Sequence, residues 1–172
     1  MIAHKTPTSI LTPSIMPFPS VTGTVPAWGV RTRTRDCFAH LTFPDKLCTP
    51  GDIFPNVAAA IVCVPGYTKT VRAVTTRDKV NIEREYNIVY NSKVDQEIDH
   101  LVPLELGGNN DYSNLWPEFA VPLPGYHQKD VVENYLHRQV CAGKMSLLQA
   151  QVYIATNWVS VWLMLPPAYR EP

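Results

Sequence analysis

The spacing of apolar residues changes along the chain, and each change marks an element. From Gly125 onward Val132, Leu136 and Val140 recur every four residues, and Val131 and Tyr135 widen the stripe. This predicts a core-facing helix that Gly143 stops. Ser146-x-x-Gln149 is a capping box. Leu147, Leu148, Ala150, Gln151, Ile154, Ala155 and Trp158 then carry a last helix toward Pro166-Pro167. Upstream, Thr75-x-x-Asp78 reads as a second cap, and Val80, Ile82, Tyr86 and Ile88 predict a helix over Thr76 to Tyr86. A shorter helix is expected through Val57 to Val62, capped by Asp52. Pro65-Gly66 is a turn, and Tyr67 to Arg72 alternates in the manner of a short strand.

Between these stretches the period shortens to that of a strand. Glu97-Ile98-Asp99-His100-Leu101-Val102 is a short apolar run carrying two polar groups, and Pro103 keeps it from continuing as a central strand. Gly107-Gly108-Asn109-Asn110 is the strongest turn signal in the chain, and Asn114-Leu115-Trp116 forms a return limb. The prediction is a hairpin with a long loop, with Asp99 and His100 on one limb and Asn114 at the foot of the other. Asp99 and His100 are sequence neighbours, so a regular strand sends them to opposite faces. A twist, bulge or strand end is needed to bring both to one cavity.

Composition narrows the class. At 172 residues the chain suits one domain with a modest core. Lys and Arg equal Asp and Glu at 15 each, so the basic surplus of a general nucleic-acid binder is missing and any such footprint is local. Five of the 16 prolines fall between Met1 and Pro26. Residues 1–36 therefore read as a disordered or extended arm, with Arg31, Arg33 and Arg35 as its basic patch. Prolines break the one stretch that resembles a signal-peptide core, and no run reaches the roughly 20 apolar residues of a spanning helix. A soluble chain with no membrane partner is expected. Cys37, Cys48, Cys63 and Cys141 contain no Cys-x-x-Cys pair, and four cysteines allow three pairings.

The hairpin resembles the HNH (ββα-metal) nucleases. The resemblance rests on Asp99-His100-x-x-Pro103-Leu104-x-x-Gly107-Gly108, then Asn114-Leu115, then a polar helix. It implies an α+β fold: a ββα-metal hairpin-plus-helix core, additional helices and an irregular proline-rich N-terminal arm. Residues 37–172 then form one nuclease domain, with scaffold at 37–90, core at 91–142 and a C-terminal packing helix at 143–172. Cys48-Thr49-Pro50-Gly51 and Cys63-Val64-Pro65-Gly66-Tyr67-Thr68 resemble a segment of exported bacterial relatives. That likeness favours a Cys48–Cys63 disulfide, leaves Cys37 with Cys141, and implies secretion.

The resemblance also assigns roles. Histidine has the unperturbed pKa that suits deprotonation of water near neutral pH, and His100 becomes the general base. Asn114, fourteen positions later, braces the hairpin and orients the histidine. Asp99 becomes a carboxylate ligand of one divalent ion. Lys129, Glu133 and His137 lie at i, i+4 and i+8 on one helix face. A subgroup pattern, Lys129-Asp130-x-x-Glu133-Asn134-x-Leu136-His137, makes Glu133 and His137 the remaining ligands, with His127 as the alternative. Lys129 and Arg138 are candidate phosphate contacts. Oxygen ligands favour Mg²⁺ or Mn²⁺, and histidine admits Zn²⁺ or Ni²⁺. The implied function is metal-dependent hydrolysis of phosphodiester bonds in DNA, yielding 5′-phosphate ends. The alternative is a non-catalytic module that binds nucleic acid or a partner on the same scaffold.

Overall fold

The computed structural model describes residues 24–40, 42–89 and 94–170. The expected arm over residues 1–23 and the start of the expected core at residues 91–93 lie outside them. The described residues form six α-helices and one small sheet: α1 (Ala59–Val62), α2 (Tyr67–Val71), α3 (Thr76–Glu85), α4 (Tyr126–Cys141), α5 (Leu147–Met164) and α6 (Pro167–Arg170). The strands β1 (Gln96–His100) and β2 (Leu115–Phe119) pair antiparallel, with Asp99 opposite Trp116 and His100 opposite Leu115. Mixed helix and antiparallel sheet make the fold α+β. No helix among the described residues is long and apolar enough to cross a membrane.

The two capped helices begin where their local chemistry dictates. Thr75 and Asp78 exchange cap bonds at the start of α3, and Ser146 and Gln149 do so at α5. Each cap satisfies orphan N–H groups of the first turn, so these boundaries need no tertiary help. The apolar stripe of α4 packs on α5. Val132, Leu136, Ile154 and Trp158 are buried with Leu115 and Trp116 of β2 in one core. Asn157 leaves helical geometry inside α5, and the next residue, Trp158, donates its indole N–H to the Thr42 carbonyl at 2.9 Å.

Two expected local structures differ. Tyr67 to Arg72 is helical, not extended: Gly66, at φ +83°, starts α2 after the Pro65-Gly66 turn, and Arg72 N–H closes onto the Thr68 carbonyl at 3.1 Å. A helical turn satisfies its own backbone, whereas a strand needs an edge, and the one sheet among the described residues offers none here. Asp52 does not cap α1, whose N-cap is Ala58 without a side-chain bond. Its carboxylate instead accepts from Ile53 N–H and the Ser113 hydroxyl.

The disulfides are Cys37–Cys48 and Cys63–Cys141, in place of the Cys48–Cys63 and Cys37–Cys141 pairs that the resemblance implied. Tertiary packing explains the exchange. Cys37 and Cys48 are both buried in the core, whereas Cys63 caps α1, which packs on α4 where Cys141 ends it. Two disulfides suit an oxidising environment. Residues 24–36 form neither helix nor strand yet are fastened to the body. Arg31 donates to the Cys48 carbonyl at 2.7 Å and pairs with Glu85, and Arg33 pairs with Asp45 at 2.9 Å. Two of the three arginines of the expected basic patch are thus engaged with carboxylates.

Candidate functional site around His100

The loop joining β1 to β2 is closed by backbone constraints that exclude most side chains. Gly107 sits at φ +80°, a conformation that favours glycine. A Cβ on Gly108 would lie 1.7 Å from the Val102 carbonyl oxygen. The Asn114 amide staples this turn. Its Oδ1 accepts from Val102 N–H at 2.9 Å and Asp52 N–H at 3.2 Å, and its Nδ2 donates to the Val102 and Asn109 carbonyls, both at 2.9 Å. Four bonds occupy a fully buried side chain, and all of them go to backbone groups. Asn114 braces the hairpin; its amide makes no bond to the His100 ring.

A second asparagine touches the ring. Asn110 Oδ1 lies 3.3 Å from His100 Nε2 and accepts from Ala73 N–H at 3.1 Å, while its Nδ2 donates to the Val71 carbonyl at 2.8 Å. The two backbone bonds fix the orientation of the amide, because a flipped group would set donor against donor and acceptor against acceptor. Oδ1 therefore faces the imidazole, Nε2 carries the proton, and Nδ1 holds the lone pair. Asn110 also clamps the backbone on either side of Arg72, an exposed cation whose charge acts on the imidazole. Burial holds His100 below the ordinary histidine range; Arg72 and Lys129 act in the same direction, against Asp99 and the Asn110 bond. The ring is neutral at pH 7, the form a general base requires.

Asp99 engages the other side of the hairpin, as strand alternation dictates. Its Oδ2 lies 2.5 Å from Lys129 Nζ on α4. The same ammonium donates to Glu133 Oε1 at 2.5 Å and to the His100 carbonyl at 2.8 Å, and lies 3.6 Å from Glu118 Oε2. All three ammonium protons have acceptors, and Lys129 is 0% exposed. It joins β1, β2 and α4 from inside, whereas the sequence placed it at a substrate phosphate. Burial works against each charge here, and the outcome differs by residue. Burial opposes ionisation of Asp99, but the Lys129 charge and hydrogen bond outweigh it and hold the carboxyl below its usual range. Burial raises Glu118 and Glu133 well above theirs, and the Asp99 charge adds to it. For Lys129 burial is outweighed by its acidic neighbours, which hold the ammonium charged.

The expected ligand set does not come together. Glu133 joins Asp99 through Lys129, but His137 lies two helical turns from Lys129, about 12 Å along α4. Its Nε2 donates to the Val62 carbonyl at 3.1 Å and lies 3.3 Å from Cys141 Sγ. His127 is exposed, 3.9 Å from Asp95. Arg138 is exposed, 5.8 Å from the centre of the Tyr169 ring. A divalent ion held by Asp99, Glu133 and His137 does not fit this arrangement, because an ammonium already bonds both carboxylates and the imidazole is elsewhere.

Sequence reasoning did not single out Asn110 or Arg72 as site residues. The available signal was the second asparagine of Gly-Gly-Asn-Asn, which a turn preference alone had explained. Comparison with protein-family models, with curated proteins and with solved structures found no match.

Proposed function

We propose that the protein is an HNH-type endonuclease that hydrolyses phosphodiester bonds in DNA, with His100 as the general base. The observation that carries this reading is the Asn110 bond: it leaves the proton on Nε2 and the basic lone pair on Nδ1 of a ring kept neutral by burial. Nδ1 takes a proton from water, the hydroxide attacks phosphorus, and the bond to the 3′ oxygen breaks. The products are a 5′-phosphate and a 3′-hydroxyl, the latter protonated from solvent. Arg72 supplies positive charge beside the reacting phosphate, where charge builds in the transition state. Lys129 and Asn114 act at a distance from substrate by fixing the hairpin. Because Asp99 and Glu133 are bonded to Lys129, no step is assigned to a metal ion.

One observation favours a second reading, a non-catalytic nucleic-acid or partner-binding module on the same scaffold: the buried Lys129 neutralises Asp99 where the resemblance expects a metal ion. Nicking of supercoiled plasmid separates the two. The assay is run with Mg²⁺, Mn²⁺, Zn²⁺ or Ni²⁺ and with a chelator. Conversion to open circle by wild type but not by Arg72→Ala supports hydrolysis. Retarded but uncut plasmid under every condition supports the binding module.

A further inference from the structure

At the end of α4 remote from Lys129, Cys63, His137 and Cys141 bring two sulfurs and an imidazole nitrogen within 4.8 Å of one another. The two cysteines form a disulfide whose Cys63 is half-buried and whose Cys141 is exposed, whereas Cys37–Cys48 is buried. Solvent therefore reaches one bridge and not the other. His137 and Cys141 lie one helical turn apart on the same face, the spacing at which two side chains grip one ion. Cys63 comes from the C-cap of α1 and supplies a third donor from a different element. Beside them is a cleft of about 260 Å³, lined by Val62 to Thr68, Glu105 and His137. Glu105 Oε1 is buried there without a hydrogen-bond partner among the described residues.

We propose that reduction of the Cys63–Cys141 bridge creates a Zn²⁺ site from Cys63 Sγ, Cys141 Sγ and His137 Nε2, its fourth position facing the cleft that Glu105 lines. Thiolate and imidazole ligands are the set that zinc prefers. Tetrahedral bonds of about 2.3 Å to sulfur and about 2.0 Å to nitrogen separate such donors by about 3.5 Å. The observed 3.3 Å between His137 Nε2 and Cys141 Sγ is already near that value. A dithiol is the reductant. Two electrons and two protons pass to the protein disulfide, the S–S bond breaks, two thiols form, and the dithiol closes to its own disulfide. Zn²⁺ then displaces both thiol protons. The His137 proton moves from Nε2 to Nδ1, and the bond to the Val62 carbonyl is given up. The proposal is independent of the hydrolytic reading, which uses none of these three residues.

Co²⁺ is the probe, because thiolate ligation gives it a near-ultraviolet charge-transfer band and tetrahedral ligation gives it strong visible bands. The full chain is reduced anaerobically with a dithiol, thiols are counted, and Co²⁺ is titrated in while circular dichroism follows folding. The proposal expects one Co²⁺ per reduced chain with both spectral signatures, displaced by Zn²⁺, and none in the oxidised chain. Cys141→Ser should remove most of the charge-transfer band. His137→Ala should weaken Co²⁺ binding at least tenfold while leaving the thiol count unchanged. If reduction unfolds the chain, refolding by Zn²⁺ supports the site, and failure to refold overturns it. An unchanged spectrum in Cys141→Ser, equal binding by His137→Ala, equal binding to the oxidised protein, or no binding to the folded reduced chain would also overturn it.

Discussion

Replacing Lys129 with Met tests whether the buried ammonium holds the hairpin to α4. Met keeps much of the apolar stem, so the loss is mainly electrostatic and not one of packing. The substitution removes three donors, to Asp99 at 2.5 Å, Glu133 at 2.5 Å and the His100 carbonyl at 2.8 Å. What remains is an Asp99 carboxylate with 19% of its side chain exposed and no cation beside it. Breaking a buried pair by removing one partner costs about 3–5 kcal/mol. The residual exposure of Asp99 places this case near about 3 kcal/mol. For a chain of this length that lowers the melting temperature by about 6–12 °C. Asp99 titrates below its usual range in the folded protein, so its contribution is complete above the unfolded carboxylate value of about 3.9 and is lost as pH falls through the folded value. Lys129→Met should therefore carry its full cost from pH 7 down to about pH 4, and the gap to wild type should narrow as pH falls further. Asp99→Asn together with Lys129→Met should recover at least about 1 kcal/mol of the loss, measured as a coupling energy in urea. A cost below about 1 kcal/mol that does not vary with pH would refute the structural role assigned to this lysine.

Asn114→Ala leaves two backbone N–H groups and two carbonyls of the turn without their partner; at about 1–3 kcal/mol per unsatisfied buried group, a loss of at least about 3 kcal/mol is expected in urea unfolding. Glu118→Gln reports on a carboxyl whose folded pKa is raised by burial, so wild type should lose stability as pH rises through that value while the variant does not. The melting temperature of Glu118→Gln should thus gain on wild type as pH rises above the unfolded carboxylate value of about 4.3, and a difference constant with pH would contradict it. If Nδ1 of His100 is the base, the acidic limb of kcat/KM for nicking should fall below the ordinary histidine value of about 6.5. A limb above that value would place the base elsewhere.

Elements whose causes are local were readable in the sequence. The caps at Thr75 and Ser146 begin α3 and α5 through side chains three residues away, and the β1 and β2 limbs bracket Gly107-Gly108 as their pattern requires. Features set by distant packing were not readable. The alternation of Tyr67 to Arg72 mimics a strand, yet the segment folds as a helix whose end is captured by Asn110, 37 and 39 residues from the groups it bonds. The cysteine pairing depends on α1 docking against the end of α4, which spacing along the chain does not encode. Lys129, Glu133 and His137 share one helical face as their spacing implies, but the face divides. Its first turn turns inward to Asp99, and its third meets the Cys63–Cys141 bridge. A lysine reads as solvated in a linear pattern, and only the converging acids of β1, β2 and α4 make its burial favourable.

In the proposed reaction the neutral imidazole of His100 on β1 activates water against a phosphodiester. Plasmid nicking by wild type and His100→Ala, at equal concentrations and with matched near-ultraviolet circular dichroism, tests it most directly. The variant should nick at a rate at least 100-fold below wild type, in line with loss of a general base, with gel retardation of the plasmid retained. Nicking by a folded His100→Ala protein at the wild-type rate would contradict it.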